Sequence, residues 1–195
     1  MVELNSRRRA IEDVASELFR AHGYAATSVR DIARALDIQG PSLYAHVTSK
    51  ENVLWAIVDR TAGRFEGAAD AAIGAASGDV QATLAALVRA HARVITEDVG
   101  SAGVFIHEWR ALTGERRAAV LERRDAYERR FRELIEAGIA TGDFEMTDPA
   151  VAAFAILSAL NGIPGWFRPG GRLTTDRVAD HFAELALRML QGDTR

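Results

Sequence analysis

Apolar residues recur along this chain every three to four positions and almost nowhere every two. Ile11, Val14, Ala15, Leu18 and Phe19 fall at i, i+3, i+4, i+7 and i+8, the stripe of a helix with one buried face. They predict a first helix over residues 5–22, with Gly23 as its stop, since glycine readily takes the left-handed turn that ends a helix. Ser28 followed by Asp31 makes a capping box for a short second helix with Val29, Ile32, Ala33 and Leu36 inward. Residues 37–40 read as a turn. Pro41 suits the first position of a third short helix that runs to about Val47. Thr48 with Glu51 reads as another capping box. It opens a long fourth helix over 49–76, with Val53, Leu54, Ile57, Val58, Thr61 and Phe65 on one side.

Longer helices are predicted beyond Gly78, at 80–98, 102–112 and 115–140. Asp148-Pro149 opens another, over 149–161, and Thr174 or Thr175 starts the last, which ends near Gln191. In that last helix Val178, Phe182, Leu185 and Met189 keep helical spacing. Residues 162–171 hold Pro164, Pro169 and several glycines, so they are read as loop or a distorted helix end. The expected fold is all-α, with about nine helices. Short, sharply capped helices form an N-terminal domain at 1–50, and long Ala-rich ones form a larger helical domain at 51–195.

Composition narrows the chemistry. The 195 residues include no cysteine, which excludes disulfides, Cys-ligated zinc, iron–sulfur clusters and thiol catalysis. A hydrophobic fraction of 48% with 26% charged residues suits a folded chain. The net charge of −3 argues against a general coat for polyanions but not against a local nucleic-acid site. Its distribution is uneven. Residues 1–50 hold seven Lys/Arg and six Asp/Glu, a net of +1, and residues 51–195 carry a net of −4. Arg7, Arg8 and Arg9 precede the first apolar stripe without an apolar run of the kind a secretory signal needs. The apolar run 150–163 is interrupted by Ser158, Asn161 and Gly162 and is expected to be too short to cross a bilayer. A cytoplasmic protein with no membrane partner is the expectation.

Three short helices with a tight turn between the second and third form the helix-turn-helix plan, whose third helix enters the DNA major groove. Residues 39–50 suit that job. Gln39 lies at the turn. Gly40 and Ser42 are small enough for close backbone approach, and Pro41 offers an apolar contact to a thymine methyl. Tyr44, His46 and Lys50 carry donors for phosphate oxygens, and a cation at a helix start is a mild misfit with the dipole that hints at such a partner. Ser28 opens the second helix, whose N–H groups favour a phosphate, and Arg30 on its exposed side reaches toward a guanine.

With those residues in view, residues 9–57 resemble the DNA-binding domain of TetR-family repressors. The likeness rests on Leu18-Phe19, on Gly23 through Ala33, and on Leu43-Tyr44-Ala45-His46 followed by Ser49-Lys50-Glu51. Val47 stands where the family usually has Phe. The resemblance implies a homodimer whose two heads read a palindromic operator in double-stranded DNA. It also implies that the last two long helices, rich in Ala, pair with those of a second copy as a four-helix interface.

The middle helices are then expected to enclose a small-molecule effector. Candidate contacts are polar residues set among apolar ones: His107, Trp109, Arg110, Arg124, Tyr127, Asn161 and Trp166, with His91 and His107 equally readable as satisfied core histidines. No tight His/carboxylate spacing supports a metal site, and no cofactor is expected. Trp166 to Gly171 resemble the corresponding segment of TetR-family regulators of lipid and sterol breakdown, several of which respond to acyl-coenzyme A thioesters. That likeness implies an elongated apolar tunnel with polar or cationic groups at its mouth, and Asn161 departs from the aromatic often found at its position. The expected function is a ligand-responsive repressor released from its operator by a small hydrophobic effector such as an acyl-CoA thioester. The alternatives are an all-helical enzyme with an appended DNA head, or a nonspecific architectural DNA binder. The first lacks a GxSxG elbow, a phosphate loop, an HExxH pair and a dinucleotide fingerprint. The second fits poorly with the acidic balance.

Overall fold

The computed structural model describes residues 2–39, 43, 47–76, 78–145 and 148–191. Its helices are α1 (Val2–His22), α2 (Val29–Ala35), α3 (Lys50–Ala75), α4 (Val80–Glu97), α5 (Val99–His107), α6 (Gly114–Thr141), α7 (Pro149–Asn161), α8 (Ile163–Trp166) and α9 (Thr175–Leu190). A 3-10 turn spans Trp109–Ala111. Among the described residues there is no strand, as the apolar periodicity predicts. The chain packs as two compact units, Met1–Ala62 with Gly100–Leu121, and Gly63–Val99 with Glu122–Arg195.

The first unit is built on the inward faces of α1, α2 and the start of α3. Ile11, Ala15 and Phe19 of α1 meet Ile32 and Ala33 of α2 and Val53, Leu54, Ile57 and Val58 of α3, all of them buried. Burying each large side chain of this kind contributes about 1.5–3 kcal/mol. Val104, Trp109, Leu112 and Val120 close the same core, so this unit is more than the first 50 residues. The third helix expected at 41–47 lies largely outside the described residues. Of it, Leu43 is helical and fully buried. Its N–H donates to the Gln39 carbonyl at 3.3 Å, and its carbonyl accepts from the Val47 N–H at 3.1 Å.

Two local expectations are corrected here. The helix predicted at 102–112 starts earlier, at Val99, and α5 stops at His107, giving way to the 3-10 turn. Three residues per turn set i and i+3 on one side, which buries Trp109 and Leu112 together. The capping box expected between Thr48 and Glu51 does not form. Ser49 Oγ accepts from the Asn52 N–H at 3.0 Å instead, and the Glu51 carboxylate accepts from the Thr113 N–H and hydroxyl, both at 3.0 Å. Those two donors hold the Glu51 carboxyl below its usual range.

In the second unit α4 packs along α9. Val178, Ala179, Ala183, Ala186 and Leu190 of α9 are buried, and small side chains let helix backbones approach. Arg89 pairs with Asp180 at 2.7 Å and Arg93 with Asp176 at 3.1 Å along this seam. The stripe expected in the last helix divides. Val178 is buried, whereas Leu185 and Met189 face outward. On α7 Val151 and Phe154 are also exposed, Phe154 to 71%. With α8, α7 makes an 18-residue apolar stretch, Pro149–Trp166, of mean hydropathy 1.3. By length and composition alone it is long enough to cross a bilayer, which corrects the expectation drawn from 150–163. The regular helix breaks at Gly162 within it.

The end of α6 shows a close approach that only glycine allows. The amides of Asp143 and Phe144 both donate to the Gly138 carbonyl, at 2.8 and 3.1 Å. This folds the buried Phe144 ring onto Gly138, where a Cβ would collide with it. Gly138→Ala is expected to destabilise the protein by about 1–3 kcal/mol through overpacking. Chemical denaturation measures this directly, and an unchanged midpoint would mean that Phe144 repacks freely.

Candidate functional site

The predicted DNA-contacting residues fall in the first unit, and of the described ones Ser28, Arg30 and Lys50 lie at the turn between α1 and α2 or on the helix it leads into. Phe19 packs edge-on against Tyr24, with ring centroids 5.2 Å apart. The Thr27 hydroxyl donates to the Gly23 carbonyl at 2.9 Å. Ser28 then caps α2 as expected. Its N–H and hydroxyl both donate to Asp31 Oδ2, at 2.9 and 2.6 Å, and its Oγ accepts from the Asp31 N–H at 3.2 Å. The two Ser28 hydrogen bonds, with Arg34 beside them, hold the Asp31 carboxyl below its usual range. The Ser28 hydroxyl is thus already engaged, and a carboxylate already stands at the start of α2.

Lys50 lies against the same turn. Its ammonium donates to the carbonyls of Tyr24 at 2.7 Å, Thr27 at 2.8 Å and Ala25 at 3.4 Å. It also sits 4.2 Å from the centre of the Tyr24 ring, within cation–π range. An ammonium has three protons, and the turn takes all three. Lys50 therefore braces the turn that leads into α2. The carbonyls also offset the misfit of a cation at a helix start.

Arg30 is exposed on α2 and, among the described residues, forms no ion pair, whereas Arg34 pairs with Asp31 at 3.1 Å. The Gln39 side chain is exposed. Gly40, Pro41, Ser42, Tyr44 and His46 lie outside the described residues.

The predicted effector contacts separate into three places. His107, Trp109 and Arg110 belong to the first unit. Trp109 is a core residue there, Arg110 lies over its ring at 4.8 Å, and His107 is exposed. Trp166 is exposed in the second unit, stacked parallel to Phe182 with centroids 6.3 Å apart. Arg124, Tyr127 and Asn161 do come together, and what they surround is His91.

His91 projects from the inner face of α4 and is buried. Its Nδ1 lies 3.0 Å from the Tyr127 hydroxyl. Phe65 packs on the imidazole with centroids 4.6 Å apart, and Phe131 lies edge-on at 6.2 Å. Burial pushes the imidazole down to about 3. A hydrogen bond with the Asn161 side chain offsets part of this, and the Arg124 charge adds to the lowering. His91 is therefore neutral at physiological pH. Burial likewise pushes the Tyr127 phenol well above its usual value, so it keeps its proton. The sequence carries one signal for this centre, a histidine at a position where Leu84, Leu87, Val88 and Ile95 of the same helix are buried. Periodicity identifies the face but not the polar partners that reach it from α6 and α7. Among the described residues no three His, Asp or Glu side chains cluster in a way that would hold a metal.

Known proteins resemble this chain over most of its length. Residues 11–57 match the family described as bacterial regulatory proteins, tetR family, and residues 77–190 match the tetracyclin repressor-like C-terminal domain. The HTH-type transcriptional repressor KstR2 of Rhodococcus jostii strain RHA1 is 32% identical over 192 residues, covering 94% of this chain and 90% of KstR2. The TetR family transcriptional regulator PfmR from Thermus thermophilus superposes with a TM-score of 0.81 at 33% identity, over 91% of this chain and 97% of PfmR. AibR, solved in complex with isovaleryl coenzyme A and operator DNA, superposes with a TM-score of 0.80 at 30% identity, over 92% of this chain and 97% of AibR.

The brace on the turn is open to a direct test. Lys50→Met keeps the aliphatic stem and removes the ammonium, leaving three carbonyls without their donor. Hydrogen bonds from a charged group are worth about 1.5–3 kcal/mol, so the variant should melt several degrees lower. An unaltered melting temperature would mean that the ammonium is available to another partner.

Proposed function

The chain belongs to the TetR family of bacterial regulatory proteins, and we propose that it is a dimeric repressor that binds a palindromic operator and is released by a small hydrophobic effector. Residues 1–50 are the DNA-binding head, and residues 51–195 bind the effector and form the dimer. The reading rests first on the face around α2. A capped helix start, a turn braced by Lys50 and an exposed Arg30 without an ion pair among the described residues give a rigid support for a side chain that reads a base edge. Rigidity matters because base readout depends on donors held in register with the groove. Arg30, Gln39 and Ser42 are assigned to base edges, with Gly40 and Pro41 allowing close approach. Tyr44, His46 and the capped start of α2 at Ser28 are assigned to the phosphate backbone. Lys50 acts through the turn it holds.

One head makes few phosphate contacts, so affinity depends on two heads acting together. The exposed apolar side chains of Val151 and Phe154 on α7 and Leu185 and Met189 on α9 supply a surface that a second copy would cover. A twofold pair of such helices gives a closed interface in which each patch meets its equivalent. The same partnership accounts for the apolar stretch 149–166 without a membrane. The protein works in the cytoplasm, where its DNA is, and it regulates without catalysing a reaction.

The effector reading draws on AibR, whose structure holds isovaleryl coenzyme A. By that likeness the effector here is an apolar acyl group, carried as a coenzyme A thioester and bound in the second domain. It must bind the DNA-free conformation more tightly than the DNA-bound one, since equal affinity would shift nothing.

Selection of bound duplexes from a random pool at physiological salt should enrich a palindrome, and a pool without enrichment would contradict the repressor reading. On the selected operator, Arg30→Ala should change base preference at about one position per half-site and cost about 1–3 kcal/mol there. A uniform loss across all sequences would make Arg30 a backbone contact. Phe154→Asp should yield a monomer in sedimentation analysis and lower operator affinity by orders of magnitude. A dimer that survives the substitution would place the interface elsewhere.

A further inference from the structure

Three arginines of α6 reach the same neighbouring helix. Arg116, Arg123 and Arg130 recur at a seven-residue spacing, which drifts only about 20° around a helix per repeat, and each bonds to α3. Arg116 donates to the Asn52 side-chain oxygen and lies over the Trp55 ring at 5.7 Å. Arg123 grips the Glu66 carboxylate with two nitrogens, at 2.7 and 2.8 Å. Arg130 pairs with Asp70 at 2.7 Å and donates to the Glu66 carbonyl at 3.3 Å. At the start of both helices the Glu51 carboxylate accepts from the Thr113 N–H and hydroxyl, both at 3.0 Å. Glu51 and Asn52 thus tie the first turn of α3 to Thr113 and Arg116. Lys50, the residue before them, holds the carbonyls of the turn that leads into α2.

These bonds connect places that the two helices share. α3 and α6 are each continuous from one unit into the other, α3 at Ala62 and Gly63 and α6 at Leu121 and Glu122. Apolar contact is non-directional, so an apolar seam tolerates a small slide of one helix over another. A carboxylate held by two arginine nitrogens fixes orientation as well as distance. A displacement of α6 is therefore passed to α3 at these bonds. Arg124 and Tyr127, which lie around the buried His91, stand on α6 about 12 and 17 Å along its axis from Arg116, at the usual rise per residue.

We propose that Arg116 and Thr113 are positioning residues that carry a displacement of α6 to the DNA-reading face, by way of Glu51, Asn52 and the Lys50 brace. This rests on the reading of the chain as an effector-released repressor and names the contacts through which release is communicated. In this role neither residue touches DNA or effector. Severing them leaves both binding sites in place and removes their dependence on each other.

The test uses the full-length protein, the operator obtained by selection and three variants. Arg116→Met keeps the stem over Trp55 and removes the bond to Asn52. Thr113→Val removes the hydroxyl that Glu51 accepts from. Arg117→Met, at the exposed neighbouring position, is the control. Coupling between two sites is reciprocal, so operator binding must itself alter the second unit. In the wild-type protein the operator should change amide hydrogen exchange over residues 122–131 of α6. Arg116→Met and Thr113→Val should bind the operator with near wild-type affinity and lose that change, and Arg117→Met should keep it. The effector probe is isovaleryl-CoA. Coupling of the usual size weakens operator binding about 5–150-fold, and in Arg116→Met that factor should fall toward one while probe affinity stays the same. A purely structural role would lower the melting temperature and both affinities together and leave the factor intact.

Wild-type exchange over 122–131 that is indifferent to the operator would overturn the proposal and leave the repressor reading in place. So would an Arg116→Met protein that keeps the wild-type change. The two substitutions break different bonds, so if one fails to fold the other decides. If isovaleryl-CoA does not release the wild-type operator, the acyl reading fails and the exchange experiment still decides the proposal. A chain that selects no operator removes both.

Discussion

The Lys50 ammonium has three protons, and three carbonyl oxygens of one turn receive them. The arrangement couples two elements that are far apart in sequence. Lys50 is the first residue of α3, and Tyr24 to Thr27 lead into the N-terminus of α2. A short helix of seven residues has little stability of its own, because nucleating a helix is costly. Here its entry is held by the cation on one side and by the Ser28–Asp31 box on the other. Whatever moves the start of α3 therefore moves the support of Arg30. In a regulator that must lose its operator, such a rigid link between a long helix and the reading head converts a small shift into a misfit.

The same unit carries a second polar anchor with different energetics. Arg60 of α3 reaches Glu12 of α1 at 2.5 Å and Ser101 of α5 at 3.0 Å, with both partners of the ion pair largely buried. Burial pushes the Glu12 carboxyl above its usual value, and the nearby Arg60, Arg8 and Arg9 charges offset this only in part. Because the folded value is raised, the stability from this group is fullest at low pH and is lost as pH rises through that value. At neutral pH the pair is a poor source of stability. Its contribution is geometric, since a guanidinium holding both α1 and α5 fixes the register in which α3 lies between them.

The second unit also keeps a polar group in its core. Its inner surface is built largely from Leu, Val, Ile and Ala, and an apolar residue at position 91 would extend that core. The imidazole is retained with Tyr127, Arg124 and Asn161 around it. A buried polar group is costly unless its neighbours bond to it, and here Tyr127 and Asn161 both do. Trp109 is consumed by the core of the first unit and Trp166 by surface stacking on Phe182, so neither joins that cluster.

The order and type of the helices were legible in the chain itself, because helix formation is governed by local terms: a period of about 3.6, a cap such as Ser28 or Asp148, a stop such as Gly23. The resemblance in residues 9–57 was legible because its motif occupies one short run of the chain. What the sequence left open was decided over distance. From its place at a helix start Lys50 reads as a phosphate contact, and nothing local reports the three carbonyls that it meets 23 to 26 residues away. Glu51 forgoes its own helix cap for Thr113, 62 residues on. His91, Tyr127 and Asn161 stand on three different helices, and no periodicity within one helix can report which polar groups the packing of several will bring into contact. Local propensity thus specified the elements, and the polar cluster around His91 exists only once those elements have packed.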